Sequence, residues 1–119
     1  MWQIKKTILE DLMVTAHNYL PDEFLCFLGG NKKEQTIEEV VILPTWNGKT
    51  SSSINLHSFP MDDTIIGSFH SHPNGVAMPS RADLKFFRRF DINIILSLPI
   101  REFAFFDKQG QANTIKIID

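Results

Sequence analysis

Residues Thr64 to Phe90 read TIIGSFHSHPNGVAMPSRADLKFFRRF, and the reading of this stretch decides the fold. Thr64 to His70 has the β-branched and aromatic content of a strand. A strand turns residues i and i+2 to the same face, so His70 and His72 point the same way. Pro73-Asn74-Gly75 breaks the strand, and Pro79-Ser80 followed by Leu84, Phe87 and Phe90 starts a helix whose first turn holds Asp83. One strand end and one helix start therefore offer two imidazoles and a carboxylate to a single point. These are the donors of a catalytic zinc site, which keeps one coordination position open for water.

Each piece also has a plainer reading. Ser80-Arg81-Ala82-Asp83 is a capping box, with Ser80 as N-cap and the carboxylate three residues on. Two histidines at a strand end can equally be polar residues flanking a turn. The conjunction favours a metal, and a helix start can cap itself while one oxygen of Asp83 faces an ion. A zinc held by two neutral imidazoles and one carboxylate polarises a carbonyl and lowers the pKa of a bound water to roughly 7. The same donors can hold iron. Such chemistry needs a further proton acceptor that is not a ligand. Glu23, which opens the apolar run Phe24-Leu25-Cys26-Phe27-Leu28, is the best candidate; read alone, it is also an ordinary loop glutamate.

Together these residues resemble the JAMM (MPN+) metalloprotease family, in which an upstream glutamate is followed by H-x-H, seven residues, S, two residues and D. Here Pro73 to Pro79 supply the seven residues between His72 and Ser80. The resemblance covers nearly the whole chain. It implies a cytidine-deaminase-like α+β architecture, one zinc per chain on His70, His72 and Asp83, Glu23 as general base and then acid, and Ser80 as the group that stabilises the tetrahedral oxyanion. It further implies cleavage of isopeptide or peptide bonds at the C-terminal tail of ubiquitin or its relatives. At 119 residues the chain has no room for large insertions and looks like the compact archaeal or bacterial form, whose expected substrates and partners are ubiquitin-like modifiers and sulfur-carrier proteins ending in Gly-Gly. A Gly-Gly tail can extend as an added strand and approach a metal closely because it lacks side chains. Phe59-Pro60-Met61 and the loop Asn74 to Met78 are expected to line its groove, with Met61, Gly75 and Met78 as substrate contacts.

Composition fits a small cytoplasmic enzyme. The expectation is one domain over residues 1–119, with 43% apolar residues and ten Phe in place of cross-links. A single Cys excludes an internal disulfide, and Met1-Trp2-Gln3-Ile4-Lys5-Lys6 runs into an amphipathic pattern rather than a leader. No apolar stretch approaches the roughly 20 residues of a membrane span. A net charge of −2 gives no electrostatic case for nucleic acid. The oligomeric state stays open.

Working outward, Ile4, Ile8, Leu12 and Ala16 mark a helix from Ile4 to about Tyr19, ended by Leu20-Pro21. Strands are expected at Glu23–Leu28 and Thr36–Leu43, joined by the turn Gly29-Gly30-Asn31-Lys32, then at Ser52–His57 and Ile65–His70. After a helix from Ser80 to Phe90 come Ile92–Leu98, Glu102–Phe106 and Thr114–Ile118, the last two joined through Asp107-Lys108-Gln109-Gly110. The order is α+β, a mixed sheet sandwiched by at least two helices. Cys26 falls on the face opposite Glu23 and reads as packing. His17 suits the end of the first helix, and His57 reads as a half-exposed polar residue. Trp46 is either a lid or a partner contact, and Ser71 faces away from its neighbours. Two other functions compete: a non-catalytic scaffold of the same fold, whose usual sign is loss of a ligand or of Glu23, and a nucleobase deaminase, whose P-C-x-x-C is absent.

Overall fold

The computed structural model describes residues 1–42 and 63–119. The expected strand Ser52–His57, together with Trp46 and Phe59-Pro60-Met61, lies outside the described residues.

The elements run β1 (Trp2–Lys5), α1 (Lys6–Asn18), β2 (Leu25–Asn31), β3 (Thr36–Val41), β4 (Ile65–His72), α2 (Arg81–Phe87), β5 (Ile92–Ser97), β6 (Glu102–Phe106) and β7 (Ile115–Ile118). All seven strands form one sheet in the order β6-β5-β4-β2-β3-β1-β7. The sheet is mixed, as expected: β1 pairs in parallel with β3 and β7, β4 in parallel with β5, and the other neighbours are antiparallel.

Three boundaries differ from the sequence reading. Trp2–Lys5 is a strand, so Ile4 is not the first residue of the helix stripe; Ile8, Leu9, Leu12 and Ala16 carry that stripe. Gly29 and Gly30 are not a turn but lie within β2, and the turn is Lys32–Gln35. A Cβ on Gly30 would sit 2.1 Å from the Thr36 carbonyl oxygen, so glycine is required there because β3 passes too close for any side chain. Finally, the turn after β6 does form, with the Gly110 amide donating to the Asp107 carbonyl at 3.1 Å, but β6 and β7 are not neighbours in the sheet. They lie at its opposite ends.

That order requires the sheet to roll. The Asn113 amide donates to the Phe105 carbonyl of β6 at 2.8 Å, and Phe106 bridges Ala112. Ile115, two residues further on, already pairs with Trp2 of β1. Two residues span about 7 Å at most, so the two rims of the sheet nearly meet. α1 fills the inside of the roll. Ile8, Leu9, Leu12 and Ala16 pack on apolar residues from every strand, among them Ile4, Leu28, Ile37, Phe69, Ile94, Phe103 and Ile115.

α2 covers the outer face of the central strands, where Phe86, Phe87 and Phe90 meet Leu25, Phe27, Ile95 and Phe106. Phe27 lies 5.3 Å from Phe90 and Phe87 5.7 Å from Phe106, ring centre to ring centre. Each buried Phe contributes on the order of 1.5–3 kcal/mol. Among the described residues, no helix is long and apolar enough to cross a membrane.

Candidate metal centre

The centre is built where the carboxyl end of β4 meets the amino end of α2. β4 is held on both sides, by Leu25↔His70 on β2 and by His70↔Ile95 and His72↔Ser97 on β5. The Leu98 amide also donates to the His72 carbonyl at 3.0 Å. Alternation puts Phe69 and Ser71 toward the α1 side and His70 and His72 toward α2. His70 is fully buried, with its ring 6.1 Å from Phe87 of α2; His72 is half-buried.

α2 begins at Ser80, whose hydroxyl accepts from the Asp83 amide at 3.1 Å, while the Ser80 amide donates to Asp83 Oδ2 at 2.8 Å. The capping box is therefore real, and it does not compete with the ligand role. It fixes the Asp83 carboxylate so that Oδ1 lies 3.1 Å from His70 Nε2 and Oδ2 lies 3.3 Å from His72 Nε2. One donor atom from each of His70, His72 and Asp83 falls within 4.8 Å of the others.

This donor set fits a metal. Both ring nitrogens of His70 are shut off from solvent and make no aligned hydrogen bond although a carboxylate oxygen faces Nε2, an arrangement that a cation between Nε2 and the carboxylate would satisfy. His72 Nδ1 lies 2.9 Å from the Val76 carbonyl. That carbonyl can only accept, so Nδ1 carries the proton and Nε2 is the free lone pair. The Asp83 carboxylate meets a desolvation cost from burial, but the imidazoles of His70 and His72 and the Ser80 amide outweigh it and hold its pKa well below the usual carboxylate range. The Asp83 carboxylate against Nε2 raises the pKa of His72; burial opposes this, and the Val76 carbonyl and the charge of Glu23 add to it.

That last contribution locates Glu23. Phe24 packs in the α1-side core and Leu25 in the α2-side core, so alternation sends Glu23 to the α2 side with the histidines. There its charge acts on His72, and its Oε1 is shielded from solvent. The sequence-selected residues Glu23, His70, His72, Ser80 and Asp83 are thus brought together.

Gly75 lies in the loop that wraps His72, where a Cβ would stand 3.5 Å from the His72 Cβ. Met78 is 65% exposed on the same loop, and Val76 is exposed beside it. Met61 and His57 lie outside the described residues. Cys26 faces α1 in the core, and burial pushes its thiol far above the ordinary range, so it is packing rather than a ligand or nucleophile. His17 is exposed in the last turn of α1.

The sequence reading passed over Asn93. Its side-chain amide donates to the carbonyls of Phe90 at 3.1 Å and of Phe87 and Asp107 at 3.4 Å, and its carbonyl accepts from Ser68 Oγ at 2.5 Å. This fully buried residue ties the end of α2 to β4 and β5. The signal was present: one amide inside the run Ile92-Asn93-Ile94-Ile95 needs buried partners.

Residues 5–105 match the family Prok-JAB, described as prokaryotic homologs of the JAB domain. A protein of Haloferax volcanii described as a probable metalloprotease is 30% identical over 110 residues, covering 83% of this chain and 68% of that one. A solved structure described as a JAMM metalloprotease-like zinc site of the proteasome and signalosome superposes with a TM-score of 0.77 at 24% identity, over 100% of this chain and 99% of that one. A JAB1/MPN domain protein from Archaeoglobus fulgidus gives 0.76 at 25% identity, over 98% and 99%.

Proposed function

The chain belongs to the Prok-JAB family of JAMM-like metalloproteases, and from that premise we propose that it hydrolyses isopeptide or peptide bonds at the C-terminal Gly-Gly tail of ubiquitin-like modifiers or sulfur-carrier proteins. The observation that carries the reading is the convergence of three metal donors with a fourth, acidic residue that is not one of them: Glu23 presents its charge to His72 while His70, His72 and Asp83 close on one point.

Zinc in that cradle would supply Lewis acidity toward a carbonyl oxygen and toward an attacking water. Glu23 takes the proton from that water and returns it to the departing amine, a sequence that needs a carboxylate outside the ligand set. Ser80 Oγ already accepts a hydrogen bond from the Asp83 amide, so its own proton is free to be donated to an oxyanion. Because β4 is flanked by β2 and β5, the tail reaches the histidines across the strand end rather than along a free edge of β4. Gly75 and the exposed Met78, on the loop beside His72, are the proposed contacts for such a tail. We further propose that residues 1–119 act as one catalytic unit carrying one zinc, in the cytoplasm, without nucleic-acid or membrane partners.

The test is cleavage of a Gly-Gly isopeptide conjugate by the zinc-loaded protein, beside a chelator-treated sample and Ser80→Ala. Chelation should abolish turnover, and Ser80→Ala should keep the metal and slow the reaction about 100- to 1,000-fold. Full activity in the metal-free protein overturns the proposal.

A further inference from the structure

We propose that Ser71, the residue between the two histidines, is a positioning residue that aims Glu23 by clamping the peptide bond that follows it. This rests on the function proposed above and goes beyond it, because it concerns a side chain on the opposite face of β4 from the reacting groups.

The antiparallel ladder between β2 and β4 is in regular register from Leu28↔Gly67 to Leu25↔His70. The next pair outward is Phe24 with Ser71. A regular rung there would exchange two main-chain bonds, but only one is made in that way: the Ser71 amide donates to the Phe24 carbonyl at 2.9 Å. The Phe24 amide instead donates to Ser71 Oγ, also at 2.9 Å and across 47 residues of sequence. The hydroxyl takes the place of the carbonyl. Both residues are fully buried, so no water competes for that amide.

The phenyl ring of Phe24 is held as well, 4.8 Å from Tyr19 and 6.0 Å from Phe69. Residue 24 is therefore fixed through its N–H, its C=O and its ring. Its N–H belongs to the same planar peptide unit as the carbonyl of Glu23. Fixing that plane fixes the Glu23 Cα, which lies in it, and so limits how far the carboxylate can swing from the α2 side, where its charge acts on His72. The spacing explains why the clamp sits at position 71. The imidazoles at 70 and 72 must face α2, so the residue between them must face α1, where Phe24 is anchored.

Removing the hydroxyl leaves a buried amide with no acceptor, and the backbone before Phe24 must shift to satisfy it. Ser71→Ala should retain one zinc per chain, lower kcat about tenfold and leave KM within about twofold. Ser71→Thr, which keeps the hydroxyl, should recover most of the loss. In a single-turnover double-mutant cycle, adding Ser71→Ala to Glu23→Gln should cost nothing further, since Ser71 acts only through the carboxylate already lost. Equal losses in both backgrounds, or loss of zinc together with activity, would make Ser71 a structural residue and overturn the proposal.

A readout without activity separates this from the function itself. In metal-free Ser71→Ala, the Phe24 amide should exchange faster with solvent, and a crystal structure should find Glu23 displaced with His70 and His72 in place. If the wild type cleaves nothing, the proposed function fails, and these two observations still decide the clamp: an unmoved Glu23 refutes it, a displaced one upholds it.

Discussion

Along β4 and β5 the face turned to α1 carries Ile66, Phe69, Ile92, Ile94 and Leu96, whereas the face turned to α2 carries Ser68, His70, His72, Asn93 and Ser97, with Ile65 and Ile95 among them. The same two strands make both faces from alternate residues. On the inner face, Ser71 apart, an apolar side chain of the right volume adds stability, and position matters through packing. On the outer face each buried polar atom needs a named partner: Ser68 has Asn93, Asn93 has three carbonyls, and His72 has Val76 and Asp83. Among the described residues, buried polar side chains are concentrated on the α2 side, and Ser71 is the one that serves them from the α1 side.

The sharpest break should come from the outer face. His70→Ala or Asp83→Asn is expected to abolish zinc binding and turnover together, as measured by metal content and conjugate cleavage, while the apolar inner face keeps the protein folded. Next, Glu23→Gln should keep the metal and lower kcat about 100- to 10,000-fold; loss of zinc in this variant would mean that Glu23 is a ligand and not a proton carrier. The inner face should then answer in the opposite sense. Phe69→Ala should cost about 3–5 kcal/mol in denaturant unfolding, yet leave zinc per folded chain unchanged, and a fall in stoichiometry would show that the two faces are not separable.

The smallest effect is in pH, and its sign differs with and without metal. In the metal-free protein the His72–Asp83 attraction is fully present below the ordinary imidazole value of 6.5 and is lost as pH rises through the raised value of His72. Asp83, held low, keeps its contribution until pH falls below the ordinary carboxylate value of 3.8 and on toward its depressed one. Metal-free stability should therefore decline as pH rises above 6.5. Zinc affinity should instead rise across that window, by about tenfold per pH unit below the raised value, because the metal must displace the proton of His72. Calorimetric unfolding and competition with a zinc indicator would measure the two slopes, and slopes of the same sign would refute the assignment of His72.

The grouping of His70, His72 and Asp83 was legible because its signal is local. Two residues apart on a strand means one face, and a capping box means that Asp83 is held near Ser80. The α1 stripe was legible for the same reason. What escaped depends on distant chain. The spacing of Ile4 to Ile8 and Leu12 suits a helix, and only pairing with β3 and β7, from far along the sequence, makes Trp2–Lys5 a strand. The pair Gly29-Gly30 has the composition of a turn, and what it reports is the close passage of β3. β6 and β7, neighbours in sequence, are separated across the whole sheet because rolling brings the rims together, which no residue near Asp107 specifies. Asn93 announced a buried network but not which carbonyls it serves.

The rolled sheet has a colloidal consequence. An open sheet of seven strands presents two rims of unpaired N–H and C=O groups, each a template on which another copy can crystallise into a fibre. Here residues 112 and 113 cover part of the outer rim of β6, and among the described residues the opposite rim is the four-residue strand β7, which carries the charged Lys116. Neither closure involves a metal donor. Emptying the proposed metal centre should therefore leave both rims as they are, so loss of metal need not bring edge-to-edge pairing with it.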